Sequence, residues 1–412
     1  MTDPLAALPA RCTDHLTALA DQTAPLAYVD LDAFEANGAM LLEQAGSLPI
    51  RVASKSVRCT AMIDHAFGLD PRIRGAMAFT VREALHLAGH GVTDVLIAYP
   101  SVDAAAFADL AAFLKDHPGH VVRPMVDGLE QVAIVAAAAT AAGVEIPLCI
   151  DVDTSWRPLG GRGPAIGARR SPLREPCEVA AFAEAATAVG GVRVDALMAY
   201  DAQIAGVGDA PPGRRARGRA IQFMQARSLG DLETRVPRIV DAVRAALARA
   251  GGSLELVNVG GTGSLARSRA IEGATELTAG SGFFAPTLFD AYRHLALQPA
   301  AFFVLPVVRR PSPSVATVLG GGYVASGPVG VDRLPTPVWP TGLRYDANEG
   351  PGEVQTPLLG ELAPQLQVGD RVVFRHTKAG ELCERFDRLH VVRGATYERS
   401  VPTYRGEGLT FL

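Results

Sequence analysis

The sequence predicts an α/β fold: a (β/α)8 TIM barrel carrying a C-terminal all-β domain. Two observations lead there. Between residues 27 and 284, short β-branched runs alternate with Ala-rich stretches of helical period. That alternation makes a parallel sheet with right-handed crossovers. Past about residue 300 the long helical runs stop, and Gly and Pro break up short strand-like runs.

The candidate strands are 27–32, 50–55, 75–80, 94–99, 120–126, 147–152, 192–200, 254–259 and 276–284. They are apolar nearly throughout, as strands buried on both faces are. Helical runs fall between them at 33–44, 81–88, 104–115, 129–141, 177–188 and 232–250, the last with Asp231 placed to cap it. If the first strand belongs to an outside element, eight β-α units remain, the number that closes a barrel of about 250 residues. An open doubly wound sheet is the rival arrangement. C-terminal strands are expected at 302–309, 315–324, 355–359, 371–375 and 389–393. The expected domains are an N-terminal extension over 1–26, a barrel over 27–300 and a β domain over 301–412. The basic string GDAPPGRRARGR, within 207–219, reads as a solvated loop between barrel units.

Composition narrows the function. Lys and Arg number 39 against 43 Asp and Glu, a net charge of −4. Such a chain lacks the basic field that nucleic-acid binding needs. Cys12, Cys59, Cys149, Cys177 and Cys383 are far apart and form no CxxC pair, so neither a disulfide framework nor a structural zinc site is expected and a reducing cytoplasm fits. The first residues, MTDPLAALPARCTDHLTALADQ, show no signal peptide, and no apolar run nears the roughly 18 residues of a membrane span.

In a barrel, residues at the C-terminal strand ends face the active site. Lys55, in IRVASKSVR, ends a buried strand. Such a lysine either snorkels to solvent or is desolvated into a nucleophile toward carbonyls. The turn in VNVGGTGS follows another strand, with Gly261, Thr262, Gly263 and Ser264. It is either a plain tight turn or a phosphate seat of bare N–H groups. A second Gly-rich end, with Gly280 and Ser281 in AGSGFF, comes one unit later, and in such barrels the last two strand loops commonly share one phosphate. In DVDTSWRPLGGRG, Arg157 or Arg162 could reach an anion or sit on the surface; Tyr200 could stack on a ring or pack in the barrel mouth. In the β domain, polar residues gather in GEVQTP and RHTKAGELCERFD. There His376, Lys378, Glu381 and Cys383 are candidate ligands or acid/base groups, or an exposed loop. A buried lysine and a phosphate seat in one barrel point to pyridoxal phosphate, PLP.

These strings also follow a known order: APLAYVDLDAFEAN at 24–37, a strand ending in lysine, DVDTSWRPLG, MAYD, GGTGS and TELTAGSGFF. The sequence resembles the PLP fold type III enzymes, the alanine racemase-like barrels, and within them the D-threonine aldolase and D-serine dehydratase family. The resemblance spans nearly the whole chain. It implies that Lys55 is the Schiff-base lysine, that Gly261, Thr262, Gly263 and Ser264 hold the phosphate with help from Gly280 and Ser281, that Arg157 lies near the cofactor's phenolate, and that Tyr200 is a cofactor-side tyrosine. It also implies a homodimer.

One departure stands out. The family usually carries a metal site in the β domain, a His-x-Cys or His-x-Asp pair. Gapless alignment from QVGDRVVF puts Lys378 and Gly380 at those positions, so no metal ligands are assigned, and His376, Glu381 or Cys383 would need a shifted loop. Glu353 and Gln355 likewise replace the family's acidic-His pair. The Lys378 ammonium is expected to stand in for the metal's charge beside the substrate hydroxyl.

The expected function is therefore a PLP-dependent lyase acting on a D-amino acid, one with a β-hydroxyl. Aldol cleavage or dehydration would run through an external aldimine formed at Lys55, with His376, Lys378 and Glu353 facing the hydroxyl. The alternatives are an amino-acid racemase, with Tyr323 or Tyr345 as second base, a non-catalytic PLP carrier, or an unrelated phosphate-sugar barrel.

Overall fold

The computed structural model describes residues 5–159 and 163–412. A first strand, β1 (Leu26–Asp30), precedes eight strands that close into a parallel barrel. These are β2 (Ile50–Ala53), β3 (Ile73–Ala78), β4 (Asp94–Ile97), β5 (Val121–Val126), β6 (Ile146–Asp151), β7 (Val192–Ala199), β8 (Leu256–Val259) and β9 (Glu276–Ala279). Ile50 of β2 pairs with Ile73 on one side and Leu277 on the other, which closes the ring. The barrel, not the open sheet, is the fold.

Local chemistry sets the helix starts. Thr80 accepts from the Glu83 amide and Asp103 from the Ala106 amide, each satisfying an N–H that the first turn leaves orphaned. Leu110, Ala111 and Leu114 then recur on one buried face of Ala104–Asp116. Met77, Leu96, Met125, Cys149, Met198 and Leu256, from six different strands, form one buried cluster. Near the strand starts, a polar layer crosses the barrel. Arg51 donates to both Glu276 oxygens at 2.6 and 3.0 Å and also reaches Asp94. Arg123 joins Asp195 and Asp94 in turn.

The β-rich part comprises β10 (Ala301–Ser312), β11 (Val315–Leu319), β12 (Thr336–Trp339), β13 (Leu343–Tyr345), β14 (Gln355–Gly360), β15 (Arg371–Arg375), β16 (Arg388–Arg393) and β17 (Thr396–Pro402). β1 belongs here: it lies antiparallel to β10 and parallel to β16. Helix Leu8–Ala18 packs Leu8 and Cys12 against Tyr28, Phe302 and Val373, and Asp30 receives Arg11 and His15. Two compact units result, interleaved along the chain. The sheet unit holds residues up to Met40, Ser56–Leu69 and Gly280–Thr410; the barrel unit holds Leu41–Lys55, Asp70–Ala279 and Phe411–Leu412.

Three expected elements change. The strand at 276–284 stops at Ala279, because Gly280 leaves extended geometry and Ser281–Phe284 forms one helical turn around two fully buried phenylalanines. The strand at 315–324 stops at Leu319, before Gly320 and Gly321 with φ of +86° and +116°. The helix at 232–250 begins at Arg215, so Asp231 is no cap: it sits inside the helix and accepts from Arg235. Among the described residues, no helix is long and apolar enough to cross a membrane. All five cysteines are free thiols.

Candidate active site

Lys55 stands in a 3-10 turn, Ser54–Ser56, directly after β2. Ser54 anchors that turn by donating to the Met77 carbonyl at 2.8 Å. The Lys55 Nζ donates to the Tyr99 hydroxyl at 2.6 Å. Tyr99 lies just past the end of β4, on the same C-terminal rim. Burial pushes its phenol up, but the Lys55 ammonium and Arg170 guanidinium outweigh burial and bring it below the ordinary value. Arg170 lies over two rings, 5.1 Å from the Tyr99 centroid and 5.3 Å from that of Tyr200. Tyr200 follows β7 directly, and burial raises its phenol to about 12.

The Gly-rich turn after β8 closes against Tyr200. A Cβ on Gly261 would meet Tyr200 Cε2 and the Ala205 Cβ, each at 3.0 Å. Gly260 has φ of +72°, the left-handed region that suits glycine. The Ser264 hydroxyl accepts from the Gly261 amide and donates to Asp201 at 2.9 Å. Ser268 donates to the other Asp201 oxygen at 2.7 Å. Asp201 is fully enclosed, and burial raises its carboxyl to about 7. The buried carboxyl of Asp151, at the end of β6, is also pushed up to about 7.

The family model for the alanine racemase N-terminal domain matches residues 29–262. The chain belongs to that family. It is of PLP fold type III. No curated protein matches the sequence. Among solved structures, a D-threonine aldolase from Filomicrobium marinum aligns at TM-score 0.73 and 24% identity, over 94% of this chain and 96% of its own. A D-threo-3-hydroxyaspartate dehydratase from Delftia sp. HT23 aligns at 0.71 and 18%, over 93% and 98%. An alanine racemase from Clostridium difficile 630 aligns at 0.60 and 13%, over 92% and 99%. These likenesses share the fold.

In this alanine racemase-like barrel, the residues at the rim fit PLP. The bare turn at Gly260 and Gly261 is a cradle that a side chain would fill, and one lysine amine reaches the same rim. The barrel unit brings Lys55, Tyr99, Arg170, Tyr200 and Gly261 into one chain of contacts. Thr262, Gly263 and Ser264 continue that turn, although the Ser264 hydroxyl is committed to holding it. Arg157 is placed differently: it pairs with Asp153 at 2.9 Å, and its side chain is 39% exposed. Arg162 lies outside the described residues.

Tyr99, Arg170, Asp151 and Asp201 were not singled out from sequence as carrying chemistry. Tyr99 carries the signal that marked Tyr200, a tyrosine at a strand's end. Arg170 comes from an irregular loop and carries none.

Gly280 and Ser281 belong to the sheet unit, where Gly280 precedes the single-turn helix. That unit also brings His376, Lys378, Glu381 and Tyr323 to one cavity of about 380 Å3. Lys378 donates to the Ser326 hydroxyl at 2.7 Å. Glu353 stands exposed ahead of β14, and the Tyr345 hydroxyl is tied to the Pro335 carbonyl at 2.6 Å. The donor set at 376–383 does not fit the metal that the resemblance implies. Among the described residues, no group of three metal-ligating side chains includes His376, Glu381 or Cys383, and burial pushes the Cys383 thiol well up.

Proposed function

We propose that this chain is a PLP-dependent lyase acting on D-amino acids with a β-hydroxyl, with Lys55 as the amine that holds the cofactor. The observation that carries the reading is the 2.6 Å contact between the Lys55 Nζ and the Tyr99 hydroxyl on the barrel rim. When bound, PLP supplies an electron-withdrawing ring that weakens the bonds at the substrate Cα. The Gly261–Ser264 turn, at a strand end and without bulky side chains at Gly261 and Gly263, would seat its phosphate. Arg170 and Tyr200 form a cationic and aromatic wall beside that turn.

In dehydration, Lys55, once its amine is free, is the base at Cα. Tyr99 is hydrogen-bonded to that amine and held between two cations, so it can take or return the Nζ proton without solvent. Asp201 grips Ser264 and Ser268 and so fixes the turn.

The test is turnover of D-threonine and D-3-hydroxyaspartate, with the L-enantiomers as controls. Aldehyde plus glycine, or oxo acid plus ammonia, from the D-forms supports a lyase. Racemised amino acid and no cleavage product would replace it with a racemase. Protein that stays colourless with added PLP would end both readings.

A further inference from the structure

Helix Val81–Gly89, in the barrel unit, carries two histidines at its C-terminal end: His86 in the last turn and His90 as the cap. Positions i and i+4 share one face of a helix, and the two rings lie side by side with centroids 4.3 Å apart. Their ligand nitrogens are within 4.8 Å of each other. The His90 Nδ1 is 2.8 Å from the His86 carbonyl oxygen. A carbonyl only accepts, so Nδ1 carries the hydrogen and Nε2 keeps a lone pair. Histidines that ligate metals are oriented in this way, with the other ring nitrogen donating to a carbonyl or carboxylate. The His86 ring is held as well: it packs 5.3 Å from Phe411, which meets Phe79 edge-on at 6.4 Å. Burial, and then His90, bring the His86 ring down to about 4, so at pH 7 it is neutral and offers a lone pair.

The surroundings favour a cation. The last carbonyls of a helix carry partial negative charge, and both imidazoles sit at that end. Arg82, one turn earlier on the same stripe, is turned to Asp103 at 3.3 Å and Asp109 at 3.6 Å. Paired imidazoles suit zinc, copper or nickel, whereas magnesium and calcium take oxygen ligands. Zinc binds imidazole nitrogen at about 2.0–2.1 Å, and a tilt of the exposed His90 ring brings both nitrogens to one ion.

We propose that His86 and His90 bind a zinc-class divalent transition-metal ion on this outer helix of the barrel. The cofactor reading assigns nothing to these residues, and the site stands without it.

Calorimetric titration of untagged, chelator-stripped protein with zinc chloride tests it. Zinc should bind, and magnesium chloride should not compete. His90→Ala and His86→Gln should each weaken zinc by at least about tenfold. His90 is exposed, so its substitution leaves the fold intact. If His86→Gln does not fold, electron paramagnetic resonance of the copper(II)-loaded protein still decides, with two coupled nitrogens in the parent and one in His90→Ala. No zinc binding to the parent, equal competition by magnesium, or a zinc affinity unmoved by either one of the substitutions would overturn the proposal.

Discussion

The Lys55 amine and the Tyr99 phenol, 44 residues apart in sequence, share a 2.6 Å hydrogen bond at the ends of two barrel strands. Arg170 completes the environment by lying over the same ring. A tyrosine between two cations is poised to exchange a proton with the amine it touches. On the proposed function, Tyr99→Phe keeps the cofactor's yellow colour and lowers kcat by about 10²-fold or more, the scale of lost acid–base assistance. Steady-state kinetics beside an absorbance spectrum checks both parts. An unchanged kcat would remove Tyr99 from the chemistry.

Gly261 is held where a methyl group would touch the Tyr200 ring and Ala205 at 3.0 Å. Gly261→Ala must therefore shift the turn. PLP affinity should fall at least about tenfold, the loss of one or two well-placed hydrogen bonds. Equilibrium dialysis measures it. A Gly261→Ala protein that holds PLP as tightly as the parent would place the phosphate elsewhere.

Asp201 makes stability depend on pH. Its carboxyl is raised by burial from the ordinary 3.8 to about 7. A folded-state pKa above the unfolded one favours the protonated form in the fold. The stabilisation is full below about pH 4 and is lost as pH climbs toward about 7. Asp151, raised to the same value, acts in the same window. Asp201→Asn should flatten this fall by roughly 2–4 kcal/mol, leaving the Asp151 part. Urea unfolding at pH 4 and pH 7 reads the difference. An equally steep fall in Asp201→Asn would contradict it.

The Arg51 guanidinium is 1% exposed and is held by Glu276 and Asp94. Losing the Glu276 charge leaves the buried guanidinium only Asp94, whose side chain is 45% exposed. Glu276→Gln should therefore destabilise the fold by about 2–3 kcal/mol, the scale of charged hydrogen bonds lost. Chemical unfolding measures it, and a cost under about 1 kcal/mol would mean that the pair is effectively solvated.

The eight barrel strands were legible because each carries a short buried apolar run between helical stretches, interrupted mainly by the polar layer of Arg51, Asp94, Arg123, Asp195 and Glu276. The sheet strands Thr336–Trp339 and Thr396–Pro402 were not, since most of their residues are partly or fully exposed and no apolar alternation marks them. Helix Arg215–Arg249 was only half legible: Gly218 and Gly230 hide its first half behind breaker residues, while packing holds it as one helix. In the site, Lys55, Tyr200 and the glycine turn could be found because they sit at strand ends, where position alone marks them. The contacts of Arg170 and the grip of Asp201 on two serines join distant segments, so no local pattern announces them. Arg157 illustrates the converse, a motif residue that pairs with its own loop at Asp153.

The most direct test of the central claim is borohydride reduction of the PLP-loaded protein, followed by peptide mapping. The account predicts a pyridoxyl group fixed on Lys55 and absent from Lys55→Ala. An adduct on another residue, undiminished in Lys55→Ala, would contradict it.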